Sequence, residues 1–325
     1  MKCPIILCCP EHRLELQPDK SGSSYVCPSG CFFPIKDNIV RFVPLQNYAS
    51  SFGYQWNKYR VTQLDSYSGT SISRDRLKQI MGESFKDLKG KKVLEAGCGA
   101  GRFTEVLLSE GAQVFAVDLS TAVDANYKNF NSHSNYFVCQ GDILKLPVKS
   151  KQFDYVICIG VLQATPSPEN AIAALCDHVK PGGALFIDHY SRNYHISLSR
   201  KFLRAFLLRM PSLFSLRFCD FLTSLFWPIH KFLKKHKKWY FMNMARKLFL
   251  RFSPLVDYHD AYPQIGPKLL KAWASMDMHD TVTDYYKHLR DADEIEKHLL
   301  SCGMTSVEVQ YAGNGVEARA KKSLV

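Results

Sequence analysis

The sequence predicts an α/β protein, a doubly wound and mostly parallel sheet with helices on both faces and additions around it. Three observations predict this. Between residues 91 and 191, the β-like runs KKVLEAG, AQVFAVDL, NYFVCQGD, FDYVICIG and GALFIDHY alternate with helical stretches, the pattern of a parallel sheet. The first run leads through GCGAGRF, a glycine-rich turn, into a helix. The chain has 325 residues and is 46% hydrophobic, enough for one large domain with additions or for two domains.

Residues 1–45 are cysteine-rich, with short strand-like runs at SYVC and NIVRFV. Of eleven cysteines, five fall in the first 31 residues. That crowding points to metal in a reducing cytosol rather than to a disulfide scaffold. Cys9-x-x-His12 and Cys27-x-x-x-Cys31 form two knuckles that could close on one tetrahedral zinc. Cys3 and Cys8 compete for the first knuckle, and a metal-free ribbon with buried cysteines is the alternative. Either way the role is structural, because four protein ligands leave no open position for catalysis. The start MKCPIILCCPEHRLEL lacks a signal-peptide pattern, so a cytoplasmic location is expected.

Residues 46–90 are polar and aromatic and are expected to be helical. Tyr48, Phe52, Trp56 and Tyr59 share one helical face. That face either docks on the core or closes over a ligand, with Gln55 and Trp56 as the contacts.

In residues 91–191, Gly97, Gly99 and Gly101 let the backbone turn sharply and approach a ligand closely. The helix from about Arg102 begins with free N–H groups that favour a polar or anionic group. Asp118 ends the second strand, where a carboxylate can accept from two ribose hydroxyls. The spacing is G-x-G-x-G with Glu95 ahead of it, not the G-x-G-x-x-G of dinucleotide-binding loops. It resembles motif I of the class I S-adenosylmethionine (SAM) methyltransferases. QGDILKLPVKSKQFDYVICIGVLQATPSPENAIAALCDHVKPGGALFIDHY resembles the rest of that family's core. The likeness is clear from Lys91 to Tyr190 and resumes over Asp291–Lys321, which would supply a last helix and an antiparallel strand pair. The resemblance implies a seven-stranded sheet with core segments 91–191 and 286–325. It implies SAM contacts from Glu95, Gly97, Cys98, Gly99, Gly101, Asp118 and Leu119. Asp142 would accept from the adenine amino group and Ile143 would pack on its face. The family often has His where this chain has Gln163, a departure that removes one catalytic candidate.

Residues 192–285 form a helical insertion after the fifth strand of that core. Pro211, Pro228, Pro254 and Pro263 are expected to divide it into separate helices. The formal charge of the chain is +12, and Arg200–Arg251 holds thirteen Lys and Arg against one acid, Asp220. The basicity therefore belongs to one segment, which should face something anionic. On a membrane surface, Phe202, Leu203, Phe206, Leu207, Phe226, Trp227, Phe232 and Trp239 would enter the headgroup boundary. Lys231, Lys234, Lys235, Lys237 and Lys238 would then meet lipid phosphates. On RNA, the same cations would grip phosphates while aromatics stack on bases. A packed cap with a solvated basic face is the third reading. The apolar bulk favours the membrane, because stacking on bases needs less of it. No charge-free apolar run here is long enough to span a bilayer.

The start of the chain also resembles small zinc-ribbon modules fused ahead of methyltransferases, although neither knuckle has the usual C-x-x-C. SFGYQWNKYRVTQLD and Trp273–Leu299 resemble segments of bacterial methyltransferases from surface-saccharide and lipid gene clusters. That resemblance makes Gln55, Trp56, Asp277, His279, Asp280 and Tyr286 candidates for an acceptor pocket, and Tyr190 joins them because it follows the fifth strand, at the edge where doubly wound sheets place ligands. His189, after the fifth strand, is the candidate base for a hydroxyl acceptor. The leading expectation is methyl transfer from SAM to a saccharide, glycolipid or other small acceptor at a membrane face. The alternatives are an rRNA or tRNA base methyltransferase and a non-catalytic adaptor with the same fold.

Overall fold

In a computed structural model, which describes residues 5–194 and 196–324, the chain builds one mixed sheet of eleven strands. Cys3 lies outside the described residues. The centre is parallel: β5 (Lys92–Ala96), β6 (Gln113–Asp118), β7 (Tyr136–Gln140), β8 (Phe153–Cys158) and β9 (Val179–Tyr190). They lie in the order β7-β6-β5-β8-β9, and β11 (Gly315–Lys322) runs antiparallel between β9 and β10 (Met304–Ala312). Each central strand is a nearly continuous apolar run because both of its faces are covered. Phe115 shows the packing: its ring stacks on Phe137 with centroids 5.2 Å apart and lies 6.0 Å from Phe153.

The expected count of seven strands is corrected by four more at one edge: β1 (Gln17–Pro18), β2 (Ser24–Val26), β3 (Phe32–Lys36) and β4 (Ile39–Arg41). They are not a separate β module. β4 pairs in parallel with β7, Val40 opposite Cys139 and Arg41 opposite Gln140. Ile5, Leu7, Leu16, Phe33 and Phe42 enter the same apolar cluster as the central strands. The physical reason is the edge itself: β7 would otherwise present unpaired N–H and C=O groups. Arg41, buried at this junction, pairs with Asp124 at 2.5 Å.

The helices follow their local signals. α1 (Ser50–Lys58), α2 (Asp65–Ser68) and α3 (Ile72–Met81) form the lead-in. α4 (Arg102–Ser109), α5 (Ala122–Phe130) and α6 (Pro168–His178) are the crossovers. Ser167 caps α6 with Pro168 in its first turn, the favoured start. The insertion consists of α7 (Leu198–Leu207), α8 (Ser212–Lys235), α9 (Tyr240–Phe252) and α10 (Pro267–Thr283). α11 (Ala292–Ser301) opens with a capping box of Asp291 and Glu294.

Pro211 precedes α8, Pro254 follows α9 and Pro263 lies between α9 and α10, but Pro228 sits inside α8 and does not end it. An interior proline costs about 3 kcal/mol. The buried stripe of Leu216, Cys219, Trp227, His230 and Leu233 offsets that cost, holding α8 against α10 and the segment beyond α9. Asp257 locks the same region: it accepts from Arg246 at 2.6 Å and from His259 at 2.7 Å.

Truncating the ring at the centre of the sheet, Phe115→Ala, is expected to cost about 3–5 kcal/mol. Urea unfolding should show this as a lower midpoint with an unchanged slope.

Candidate functional site

A cavity of about 860 Å³ opens at the C-terminal ends of the parallel strands. The loop after β5 forms its floor. Gly97, Gly99 and Gly101 have φ of 78°, 50° and 98°, the left-handed region that favours glycine. A Cβ on Gly97 would stand 2.2 Å from Val161, and one on Gly101 would stand 2.2 Å from Phe130. Gly97, Cys98 and Gly99 line the cavity. Gly101 instead sets the start of α4, and Glu95 lies buried behind the loop, accepting from the Thr104 hydroxyl. Burial pushes the Glu95 carboxyl up to about 8.

Asp118 ties this loop to β6. One oxygen accepts from Gly99 N–H at 2.9 Å, and the other accepts from the Ser120 N–H at 2.8 Å and the Ser120 hydroxyl at 2.7 Å. Burial still raises its carboxyl above the usual range. Leu119, Asp142 and Ile143 continue the lining. Asp142 accepts from Leu144 N–H at 2.9 Å, which fixes its carboxylate at the turn after β7. From above, Tyr48, Phe52, Gln55 and Trp56 face the cavity. A Cβ on Gly99 would be 3.3 Å from the Trp56 indole, so that ring lies against the glycine loop.

The far half of the cavity is built by β9, α3 and the insertion. Tyr190 and Asp277 line it. Asp280, from the same pocket expectation, does so too, and its Oδ1 accepts from Gln55 Nε2 at 3.1 Å. Sequence reasoning missed Arg76, Arg102, Tyr194, Arg200, Tyr258 and Glu317 there. Arg76 is neutralised by Asp188, which also accepts from Gly160 N–H. Arg102 donates to the Ser73 hydroxyl at 3.0 Å and has no carboxylate partner among the described residues. Burial and then the nearby Arg76 lower its guanidinium to about 10. An unpaired cation turned toward a cavity fits an anionic ligand group. Arg102 had a legible signal: an arginine in a helix's first turn is opposed by the helix dipole. The others come from segments with no local pattern to mark them.

Several expected residues lie elsewhere. His189 does not line the cavity. Side chains alternate along β9, so Asp188 and Tyr190 take the cavity side and His189 the other. There its Nδ1 lies 2.9 Å from the Tyr190 carbonyl, and burial lowers its basicity. His279 is fully buried behind Gln55, whose Oε1 is 2.5 Å from His279 Nδ1. Tyr286 packs edge-on against Tyr48 at 5.2 Å and is also outside the lining. Gln163 is buried and turned away from the cavity.

At the N-terminal end, the knuckles converge. Sγ of Cys9, Cys27 and Cys31 lie 3.6, 3.7 and 3.4 Å from His12 Nδ1. Tetrahedral zinc with ordinary bond lengths has nitrogen–sulfur edges of about 3.6 Å. Burial alone would raise the Cys9 thiol, but backbone N–H groups of His12 and Glu11 pull it down to about 7. The ligand atoms of Cys9, His12 and Cys31 all lie within 4.8 Å of one another; Cys27 approaches His12 but is outside that group, and Cys8 is buried and outside it as well.

The insertion presents a second surface. Phe202, Phe206, Phe232 and Trp239 are exposed as expected, but Leu207 and Trp227 are core residues. Leu203 and Phe226 are partly buried. Phe214, Arg217, Phe221, Leu225, Phe232 and Lys235 make one exposed stripe on α8, and Phe241, Met244, Leu248 and Phe252 make another on α9. Lys234 and Lys237 pair with Asp260, whereas Lys231, Lys235 and Lys238 have no ion pair among the described residues. No helix among the described residues is long and apolar enough to cross a membrane.

Residues 94–187 match the family model of the methyltransferase domain. A ubiquinone biosynthesis O-methyltransferase of Coxiella burnetii is 37% identical over 126 residues, 38% of this chain and 53% of that protein. One from Azoarcus sp. is 34% identical over 111 residues, 33% of this chain and 47% of its own length. This chain thus spans about half the length of the curated relatives it matches. These relatives are named for ubiquinone biosynthesis, not for saccharide clusters. A SAM-dependent methyltransferase structure from Methanococcus maripaludis aligns at a TM-score of 0.45 and 13% identity, over 86% of this chain and 96% of that one. At that distance the likeness bears no weight. Residues 94–187, less than half of the chain, are thus similar to a methyltransferase domain.

Gly97→Ala is expected to weaken binding of S-adenosylhomocysteine at least about tenfold, since both its φ and the contact with Val161 forbid a side chain there. Calorimetric titration measures it.

Proposed function

We propose that the whole protein is a SAM-dependent methyltransferase that methylates a small acceptor held between the glycine loop and the insertion. The observation that carries this reading is a single cavity bounded at one end by Gly97, Gly99, Asp118 and Asp142, and at the other by Tyr190, Tyr194 and Asp277. SAM supplies an activated methyl group on a sulfonium. Asp118 would accept from its ribose hydroxyls and Asp142 from its adenine amino group, with Ile143 on the adenine face. Glycines without Cβ atoms leave room for the cofactor's approach, and Arg102 would meet its carboxylate. Cys98 and Leu119 complete the walls, while Glu95 and Gly101 hold the loop's shape. Trp56 would cover the pair and exclude water, with Gln55 fixed beside it, leaving the protein to position the reactants.

The names of the relatives favour an oxygen acceptor. The exposed apolar stripes and free lysines of the insertion favour a lipid or lipid-linked saccharide, met at an anionic membrane from the cytoplasmic side. RNA is the second reading of the same lysines, disfavoured by the amount of exposed apolar surface. Residues 1–45 would form a zinc-stiffened edge to the sheet, with Cys9, His12, Cys27 and Cys31 as ligands; closed coordination gives the zinc a structural role only. The lead-in over 46–90 would act as the lid, the core as 91–191 with 286–325, and the insertion over 192–285 as the acceptor and membrane face.

Asp118→Ala is expected to reduce S-adenosylhomocysteine affinity by about a hundredfold or more, since it removes a charged partner and frees the loop. Transfer of tritiated methyl from SAM into a fractionated host extract then reports the acceptor. Asp118-dependent label in the lipid fraction supports the membrane reading, and label in RNA overturns it. Elemental analysis should find one zinc per chain in the wild type, lost in Cys31→Ser; a metal-free wild type removes the zinc site. Sedimentation with phosphatidylglycerol vesicles should show binding that weakens with salt and with Lys235→Glu.

A further inference from the structure

We propose that Asp280 is the general base of the transfer, taking the proton of an acceptor hydroxyl, and that Gln55 and His279 are positioning residues for its carboxylate. The inference rests on the methyltransferase reading above.

The geometry is a chain of three side chains from two elements. His279 and Asp280 are neighbours on α10, and Gln55 comes from α1. Gln55 Nε2 donates to Asp280 Oδ1 at 3.1 Å, while Gln55 Oε1 accepts from His279 Nδ1 at 2.5 Å. The Gln55 and His279 side chains are completely buried, so neither can swing away. Burial holds the imidazole well below its ordinary basicity, at about 4. It therefore stays neutral, with its single proton on Nδ1, and fixes which end of the Gln55 amide faces the acid. Oδ2 of Asp280 has no protein donor among the described residues and belongs to a side chain on the cavity wall. This is a base oriented by a second group that is itself oriented by a third.

The neighbouring acids are held differently. Asp284, one turn on, is ion-paired with Arg204 and Lys287. Asp277, one turn back, has Tyr258 and Arg200 beside it but no ion pair among the described residues, and its Oδ2 is buried without a hydrogen-bond partner, so no second side chain orients that oxygen. Asp277 and Asp280 both line the cavity, and of the three acids Asp280 is the one held by a buried neutral amide that is itself fixed by an imidazole, next to Tyr190 where β9 ends.

In the reaction, the acceptor oxygen forms its bond to the methyl carbon as Asp280 takes the hydroxyl proton. The carbon–sulfur bond breaks and its electron pair returns to sulfur. The products are a methyl ether, the neutral thioether and a protonated Asp280, which gives its proton to water once the site opens. An alcohol or phenol is the acceptor class this arrangement serves.

The surroundings tune the group to that task. Burial, then Asp277 and Asp284, push its carboxyl up to about 7, against the smaller pull of Gln55 and Lys287. Tyr190 faces it from β9 and Arg204 lies near Asp284 from α7. A base poised near the working pH is the efficient one. Because the deprotonated form is active, the rate should rise with pH and level off above the titration point. The positive sulfonium of the bound donor moves that point downward.

The test uses the full chain with tritiated-methyl SAM and a total lipid extract of the host. Asp280→Asn should lower single-turnover transfer by about 10²–10⁴-fold with S-adenosylhomocysteine affinity unchanged. It should also abolish the rise with pH, and Asp280→Glu should recover part of the rate. Independently of activity, the infrared difference between wild type and Asp280→Asn, with S-adenosylhomocysteine bound, should show one carboxyl titrating near neutral pH. Gln55→Leu should raise that titration point, which a merely structural Gln55 would not do. Full transfer and an unchanged pH profile in Asp280→Asn would overturn the base while leaving the methyltransferase reading intact. Wild type that binds S-adenosylhomocysteine yet labels nothing in the lipid extract or in any other fraction of the host extract would overturn both.

Discussion

The Asp118 carboxylate is the interaction on which the site depends. It joins the last residue of β6 to the backbone N–H of Gly99 and to Ser120, and so holds the glycine loop open in an unusual conformation. That loop in turn sets Val161 against Gly97, Phe130 against Gly101 and Trp56 against Gly99. Three elements distant in sequence therefore meet where the backbone has no side chains. The carboxylate is buried to do this, and three donors limit what burial costs. Its remaining accepting capacity is what a ribose would use.

The second half of the cavity follows a different logic. Here the central α/β core contributes β9 and its edge together with Arg102 of α4, and the other walls come from α1, α3 and the insertion. Carboxylates at 277, 280 and 284 follow one face of α10, set against Arg200, Arg204 and Lys287. Near-balance of charge makes such burial tolerable. Within it, Asp284 is ion-paired, whereas Asp280 is held by the Gln55 amide.

The insertion serves two surfaces at once. Trp227, Leu270 and Trp273 pack inward and carry the pocket. The opposite faces of α8 and α9 leave Phe221, Phe232 and Phe241 in contact with solvent, beside lysines without partners. Exposed apolar area of this extent on one side is uncommon unless something covers it. The far wall of the cavity and the exposed apolar surface are thus built from the same insertion.

The central sheet, the glycine loop and the stops of Asp118 and Asp142 were readable from sequence because they are local: apolar runs of strand length, glycines at fixed spacing, an acid at a strand end. The closeness of Cys9, His12 and Cys31 was readable for the same reason. The sequence by itself also determined that the positive charge resides in one segment. Only the tertiary structure decided that the N-terminal strands extend the sheet, because nothing in residues 1–45 states that β7 lacks a neighbour on that side. It decided that His189 turns away, since the side taken by one residue depends on the register of β9 against β8 and β11. It decided that Trp227 is core while Phe232 is surface, and that Gln55 joins His279 to Asp280 across 225 positions. Local pattern records what a segment prefers to be, whereas these outcomes depend on which distant segment arrives beside it.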